Sequence, residues 1–327
     1  MSPDNHPKVF HLEDLSDEVQ LKIFSYLSVK DLIHCSHVCS RTRRICQDES
    51  LWLKVNLCGK IVPANFIKYI LDNGCKYINL SFANIVGELN LFGNIYNVKY
   101  LNLSDSTSNT NALEELIASC QSLQKLSLSN LSISSTPNII NKIKTQNLQT
   151  LDLSHLYGLN LDNLNHLLKC EHLKEISFRG NNILYNKRLC DYVINNLPSE
   201  LMKISLASPT GMCKLKNYQI ETLTQKCKNL IELELTYCRS ISDIVLESVI
   251  ENLHHLEKLD VSGTKITLSD FSARYLDIRS MPKLEVLKCQ SLSDEDSEQG
   301  FYTCQVVFIQ FEHNFYSDFL ENKIDLE

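Results

Sequence analysis

The chain has 327 residues, 43% of them hydrophobic and 22% charged, with a formal net charge of −7. That is the balance of a globular protein with enough apolar material for a long core, and the lack of a basic excess argues against nucleic acid as a partner. No run of about 18 apolar residues occurs, so the sequence holds no membrane-spanning helix and predicts no membrane partner.

Met1 to Asp14 lacks the apolar stretch of a secretory signal, which predicts a protein of the nucleus and cytoplasm. The 13 cysteines are scattered without a C-x-x-C pair, so they read as free thiols acting as small core hydrophobes in a reducing compartment. His34, Cys35, His37 and Cys39 resemble a metal cluster in composition. On a helix, however, Cys35 and Cys39 share the apolar face while the histidines project elsewhere, so no metal is predicted.

Residues 9–57 read as a module of three short helices. Ser16-Asp17-Glu18 supplies a cap and an acidic first turn. Val19, Ile23, Tyr26 and Leu27 then form one apolar stripe, and Leu32, Cys35, Val38 and Cys39 a second. A third stretch ends at Leu51-Trp52, and Arg41, Arg43 and Arg44 read as a solvated face. A module this small with two thin stripes buries little surface alone. It therefore predicts a greasy ridge left for a second polypeptide, or else a helical cap sealing whatever follows.

Residues 58–299 are a repeat array of nine to ten units. The pattern apolar-x-x-apolar-x-apolar recurs with its middle anchor at Ile78, Leu101, Leu126, Leu151, Ile176, Ile204, Leu233, Leu259 and Leu287. An additional copy starts at Trp52-Val55-Leu57. The spacing falls in the leucine-rich-repeat window of roughly 20–29 residues. Alternation at the second and third anchors predicts a short strand, followed by a helix-like stretch such as Leu113, Leu116, Ile117 and Cys120. Strands stack about 4.8 Å apart and helices about 10 Å. The array must curve, with a parallel sheet on its concave side.

The residues following the middle anchors, from Asn79 and Asn102 to Asp260 and Lys288, are predicted to line that sheet. Charges gather in the C-terminal third, which makes Arg179, Glu234, Thr236, Arg239, Asp260 and Lys288 the predicted substrate-binding residues. The acidic run Asp294 to Glu298 reads as a solvated loop. Residues 300–327 lose the repeat and predict a cap strand, Cys304 to Phe311, with a tail. Catalytic spacings are missing: there is no Gly-rich phosphate loop, no G-x-S-x-G and no H-E-x-x-H, so neither an enzyme nor a cofactor is predicted.

The N-terminal module resembles an F-box. The likeness is carried by Leu12-x-x-Leu15-Ser16-Asp17-Glu18-Val19, Ile23-Phe24-Ser25-Tyr26-Leu27, Asp31-Leu32, Val38-Cys39 and Asp48-Glu49-Ser50-Leu51-Trp52. Ser16 stands where the family has Pro, and Thr42 where it has an aromatic residue. Joined to the repeats, it resembles the leucine-rich-repeat class of F-box proteins, and within that class the S-phase kinase-associated branch. The resemblance implies a three-helix F-box followed by a right-handed α/β horseshoe. It implies a non-catalytic substrate receptor of a ubiquitin ligase, binding the Skp adaptor and through it cullin and RING subunits. It also implies a protein substrate, phosphorylated or not, among cell-cycle regulators, and allows a Cks accessory subunit. The implied adaptor contacts are Leu12, Leu15, Ser16, Val19, Ile23, Phe24, Leu27, Leu32, Val38 and Trp52. The other reading is a repeat scaffold whose helices only cap the array.

Overall fold

Every middle anchor sits at the centre of a three-residue strand, and the strands stack in parallel. The computed structural model describes residues 11–131, 136–267, 281 and 283–289. The acidic run and the predicted cap strand and tail lie outside those residues. Among the described residues the main sheet has ten strands. These are β1 (Lys54–Asn56), β3 (Tyr77–Asn79), β5 (Tyr100–Asn102), β6 (Lys125–Ser127), β7 (Thr150–Asp152), β8 (Glu175–Ser177), β9 (Lys203–Ser205), β10 (Glu232–Glu234), β11 (Lys258–Asp260) and β12 (Val286–Lys288). A small outer sheet pairs β2 (Ile61–Pro63) with β4 (Asn84–Val86).

The register aligns anchor with anchor, from Val55 opposite Ile78 to Leu259 opposite Leu287. The copy at Trp52-Val55-Leu57 is therefore the first strand. The middle anchors from Val55 to Leu259 are buried in one continuous core. Each such side chain contributes roughly 1.5–3 kcal/mol relative to exposure. Behind the sheet run α5 (Ala64–Asp72), α6 (Thr110–Ser119), α7 (Thr136–Lys142), α8 (Leu161–Leu167), α9 (Lys187–Asn196), α10 (Asn217–Lys226) and α11 (Ile244–Asn252). The unit between β3 and β5 departs from the predicted strand-plus-helix pattern. Gly87, Phe92 and Gly93 all adopt positive φ there, which breaks helical progression, and the chain crosses in extended and turn segments.

Four residues past the anchor, most units turn with positive φ, at Phe82, Asp105, Asn130, His155 and Tyr237 as well as at Gly180 and Gly263. This turn aims each N–H at the next unit: Tyr237 donates to the Ser262 carbonyl at 2.7 Å and His155 to that of Arg179 at 2.7 Å. Gly180 and Gly263 have a second reason to be glycine. A Cβ there would lie 2.4 Å from the ring of His155 or Tyr237 in the preceding unit. Five residues past the anchor, two side chains bond back to the preceding unit. Asn181 donates its amide to the Leu153 carbonyl at 2.9 Å, and the Cys238 thiol reaches that of Leu206 at 3.2 Å.

The core cysteines behave as hydrophobes. Burial pushes the Cys75 and Cys120 thiols up to about 12 and Cys46 to about 11, leaving them protonated and inert.

The head comprises a 3-10 turn (Leu12–Asp14), α1 (Asp17–Phe24), α2 (Val29–Ser36), α3 (Ser40–Cys46) and α4 (Glu49–Trp52). The third predicted stretch thus divides in two. Asp48 accepts the Ser50 N–H at 2.9 Å and starts a separate single turn. β1 follows α4 directly, so no linker separates head from repeats.

Candidate docking and recognition surfaces

Packing divides the apolar residues of the head into a buried set and an exposed one. Phe24, Val29, Leu32, Ile45, Leu51 and Trp52 point inward and join the solenoid core. Trp52 is fully buried; its indole N–H donates to the Cys46 carbonyl at 2.6 Å, and its ring meets Tyr69 of α5 edge-on at 5.1 Å. This side caps the first repeat. Leu12, Val19, Ile23, Tyr26 and Val38 by contrast remain exposed, with Tyr26 at 76% and Val38 at 75%. Such a run of large apolar side chains on one small module marks an interaction surface.

The predicted adaptor residues divide accordingly. Leu12, Ser16, Val19, Ile23 and Val38 are exposed. Phe24, Leu32 and Trp52 are interior, while Leu15 and Leu27 are half-buried, Leu27 against the core. The two predicted stripes are each split, because a helix on so thin a module touches core with one edge and water with the other. Tyr26 was absent from the predicted contacts. Its signal is its place on the apolar stripe with Val19 and Ile23, and the Lys22 ammonium lies over its ring at 5.0 Å.

The arginines predicted as a solvated face are exposed at Arg43 and Arg44 and half-buried at Arg41, and from there they also staple the head. Arg41 donates to Asp17 at 2.8 Å and to the carbonyls of Glu13 and Leu15, both at 2.6 Å. Arg44 also pairs with Asp17, and Arg43 donates to the Ser36 carbonyl at 3.1 Å. Together they fix the turn that carries Leu12 against α1 and α3. The Arg41 hydrogen bond holds the Asp17 carboxyl below the usual carboxylate range, with both guanidinium charges assisting.

Thr42 replaces the family's aromatic residue and has a defined task. Its hydroxyl lies 2.9 Å from the Cys35 carbonyl and 3.2 Å from the Cys39 N–H, closing the corner between α2 and α3. Cys39 caps α3 through sulfur, and the Thr42 hydroxyl lowers its thiol pKa. His37 Nδ1 lies 2.6 Å from the Ile33 carbonyl. Ser16 is the N-cap residue of α1 without a side-chain cap bond; its hydroxyl serves Glu18, whose carboxyl it holds low.

On the sheet, the residues after the anchors are less available than their polarity predicts. Asn79, Asn102, Asp152 and Asp260 each turn an oxygen back onto the N–H two residues on, at 2.9–3.0 Å. Glu234 is buried and takes an ion pair from Arg179 and hydrogen bonds from Ser205 at 2.6 Å and Thr236 at 3.3 Å. Asp260 faces Lys288 at 3.7 Å. Arg239 lies apart in a turn, its guanidinium over Gly211. The predicted C-terminal charges therefore largely answer one another.

The other row of the sheet is formed by the residues before each anchor. Period-two alternation puts both neighbours of an inward residue on the same face, which is the signal that was available. This row runs as one ladder. Lys54 lies over Tyr77 at 5.5 Å, Tyr77 meets Tyr100 edge-on at 4.7 Å, and Lys125 lies over Tyr100 at 5.0 Å. Beyond it Thr150, Glu175, Lys203, Glu232 and Lys258 are linked in turn at 2.9–3.5 Å.

The F-box-like family matches residues 12–58. Among curated proteins, human F-box/LRR-repeat protein 12 is 25% identical over 316 residues, covering 90% of this chain and 93% of that protein. Its counterpart from Mus musculus is 52% identical over 46 residues, 14% of each chain. Mouse lysine-specific demethylase 2B matches over 70 residues at 37% identity, 21% of this chain and 5% of that protein. The S-phase kinase-associated branch does not figure among these relatives. Among solved structures, the leucine-rich repeat-containing protein LegL7 from Legionella pneumophila aligns with a TM-score of 0.42 at 14% identity, over 71% of this chain and 80% of that one.

Proposed function

We propose that this chain, with an F-box-like match at its head and F-box/LRR-repeat relatives along its length, is a substrate-recognition subunit of a Skp–cullin–F-box ubiquitin ligase. The head binds the Skp adaptor, which brings cullin and RING subunits, and the repeats hold a protein substrate. The observation that carries this reading is that Leu12, Val19, Ile23, Tyr26 and Val38 stay exposed on a head whose other apolar residues are already buried in the solenoid core. Capping the array and docking a partner are thus tasks of different residues, and the first does not consume the second.

The mechanism is positional. A cargo held on the sheet and a conjugating enzyme held through the head share one assembly, which raises the effective concentration of substrate lysines near the activated ubiquitin. The direct passage from α4 into β1 supports this, because it fixes the angle between adaptor and cargo. The chain supplies no catalytic group in this reading. The short demethylase match covers too little of that protein to transfer its activity. The proposed setting is nucleus and cytoplasm. Cell-cycle substrates, substrate phosphorylation and a Cks subunit rest on the family resemblance alone and carry no part of the argument.

Co-expression with the Skp adaptor tests the proposal. A stable one-to-one complex on size exclusion is expected. Separate elution at micromolar concentrations would leave only a capped repeat scaffold.

A further inference from the structure

Two thiols of the repeats depart from the role of isolated core hydrophobes. Cys213 lies in the turn between β9 and α10, and Cys238 in the turn between β10 and α11. Their sulfur atoms are 3.6 Å apart, with the Cys238 thiol as donor. Cys75, Cys170, Cys190 and Cys227 by contrast turn their thiols to backbone carbonyls. Both turns are anchored. Cys238 also reaches the Leu206 carbonyl at 3.2 Å, and its own N–H donates to the Leu235 carbonyl at 3.0 Å. On the other turn, Cys213 Sγ takes the Leu215 N–H at 3.5 Å, and the Lys214 N–H donates to the Leu184 carbonyl at 2.7 Å. Arg239, next to Cys238, lays its guanidinium over Gly211, two residues before Cys213, so the two turns also meet beside the sulfurs. The thiols are unequal. The hydrogen bond from Cys238 holds Cys213 below its ordinary value against the cost of burial, with the Leu215 N–H and the Lys216 charge assisting, while the same contact and burial push Cys238 up. Cys213 is also nearer to water, at 7% exposed beside Met212 at 62%, whereas Cys238 is fully enclosed.

We propose that Cys213 and Cys238 form an oxidisable dithiol, which a hydroperoxide converts into a disulfide stapling two neighbouring repeat units. Cys213 is the attacking sulfur, being the readier thiolate and the less enclosed of the two. It takes an oxygen from the peroxide: an S–O bond forms, the O–O bond breaks, and the alkoxide or hydroxide released accepts the Cys213 proton. The Cys238 sulfur then attacks Cys213 Sγ. The S–S bond forms as the S–O bond breaks, and hydroxide leaves with the Cys238 proton as water. The thiol pair loses two electrons and one peroxide is reduced. Because the sulfurs already touch, the second step is intramolecular and has a high effective concentration. A disulfide is about 2.05 Å long, so the sulfurs must close by about 1.5 Å. Pro209, Thr210 and Met212 ahead of Cys213 are exposed, so that turn has the least packing to oppose the shift. In a reducing compartment such a bond is transient, and thiol reductants reverse it. The inference does not depend on the receptor reading.

The test is peptide mapping of the full chain. The reduced protein is freed of reductant, treated with hydrogen peroxide, alkylated with iodoacetamide and digested with trypsin without further reduction. Mass spectrometry is expected to find residues 204–214 linked to residues 229–239, and the link to vanish after dithiothreitol. Cys213→Ser should abolish the loss of two hydrogens per chain that accompanies the link. Cys238→Ser should leave a sulfenic acid on Cys213 that dimedone traps. Cys190→Ala, which removes a thiol that senses the charge of Cys213, should leave the link intact. The oxidised chain should melt about 5 °C above the reduced one, the direction a cross-link between units imposes. Thermal unfolding of each reduced variant separates lost reactivity from lost folding, and a serine variant that melts early is replaced by alanine. The inference is overturned if peroxide yields no linked peptide from the folded wild type, if the link runs to Cys190 or to a second chain instead, or if the oxidised chain melts no higher than the reduced one. Conversion of Cys213 to a sulfinic acid with Cys238 still free would overturn it as well.

Discussion

The head and the repeats use the same apolar residue types for different ends. In the repeats, each anchor leucine meets its counterpart in the next unit, so the inward positions are sealed in one continuous core. The head has no such series of neighbours. Its helices divide their apolar residues between Trp52, Phe24 and Leu32 inside and Val19, Ile23, Tyr26 and Val38 outside. Stacked units convert periodicity into burial automatically, whereas a module with one neighbour can bury only one side. What is left over is available for a partner.

Trp52→Ala should break that contrast most severely. It removes the side chain that belongs to both regions, together with its contact to Tyr69 and its bond to Cys46. A loss of about 3–5 kcal/mol is expected in denaturant unfolding, with the head melting before the repeats. A single unshifted transition would mean that Trp52 does not tie the head to the first repeat.

Ile23→Asp with Val38→Asp should sharpen it. Both positions are exposed, so the melting temperature should change by only a degree or two, the usual result of substitutions at exposed positions. Adaptor affinity should fall about a hundredfold, measured by calorimetry. Leu27→Asp is the weaker probe: Leu27 packs on the core, and its loss would confound folding with docking. If the double variant still binds the adaptor normally, the ridge is not the docking surface.

The smallest effect is electrostatic and confined to the head. Asp17 has its folded carboxyl held below the unfolded value of about 3.9, chiefly by Arg41. Its contribution is therefore present above that value and lost as pH falls through the folded one. Acid unfolding followed by near-ultraviolet circular dichroism should show the head loosening below about pH 4, and Asp17→Asn should flatten that part of the curve. Because Asp17 is solvent-facing, the difference should be slight, and a profile identical in both proteins would remove the Arg41 clamp as a determinant of head geometry.

Much of the array was legible because its rules are local. Three anchors in six residues specify a strand, and their recurrence specifies which strands are neighbours. The missing helix between β3 and β5 was less visible, since Gly87 and Gly93 had to be weighed against an expectation set by the other units. On the sheet, polarity is legible in the sequence but availability is not. The Asn102 side chain looks free in sequence, yet it accepts from Ser104 two residues on.

The sequence by itself determined the period, the register and the inward set of this protein, because each depends on spacings within one turn or one strand. Only the tertiary structure decided which apolar residues of the head face out, that Arg41 clamps Asp17 twenty-four residues away, and that Glu234 is neutralised by Arg179. Those outcomes depend on which side chains meet across separate elements. A charge or a leucine has the same identity in the sequence whether a neighbour satisfies it or leaves it open.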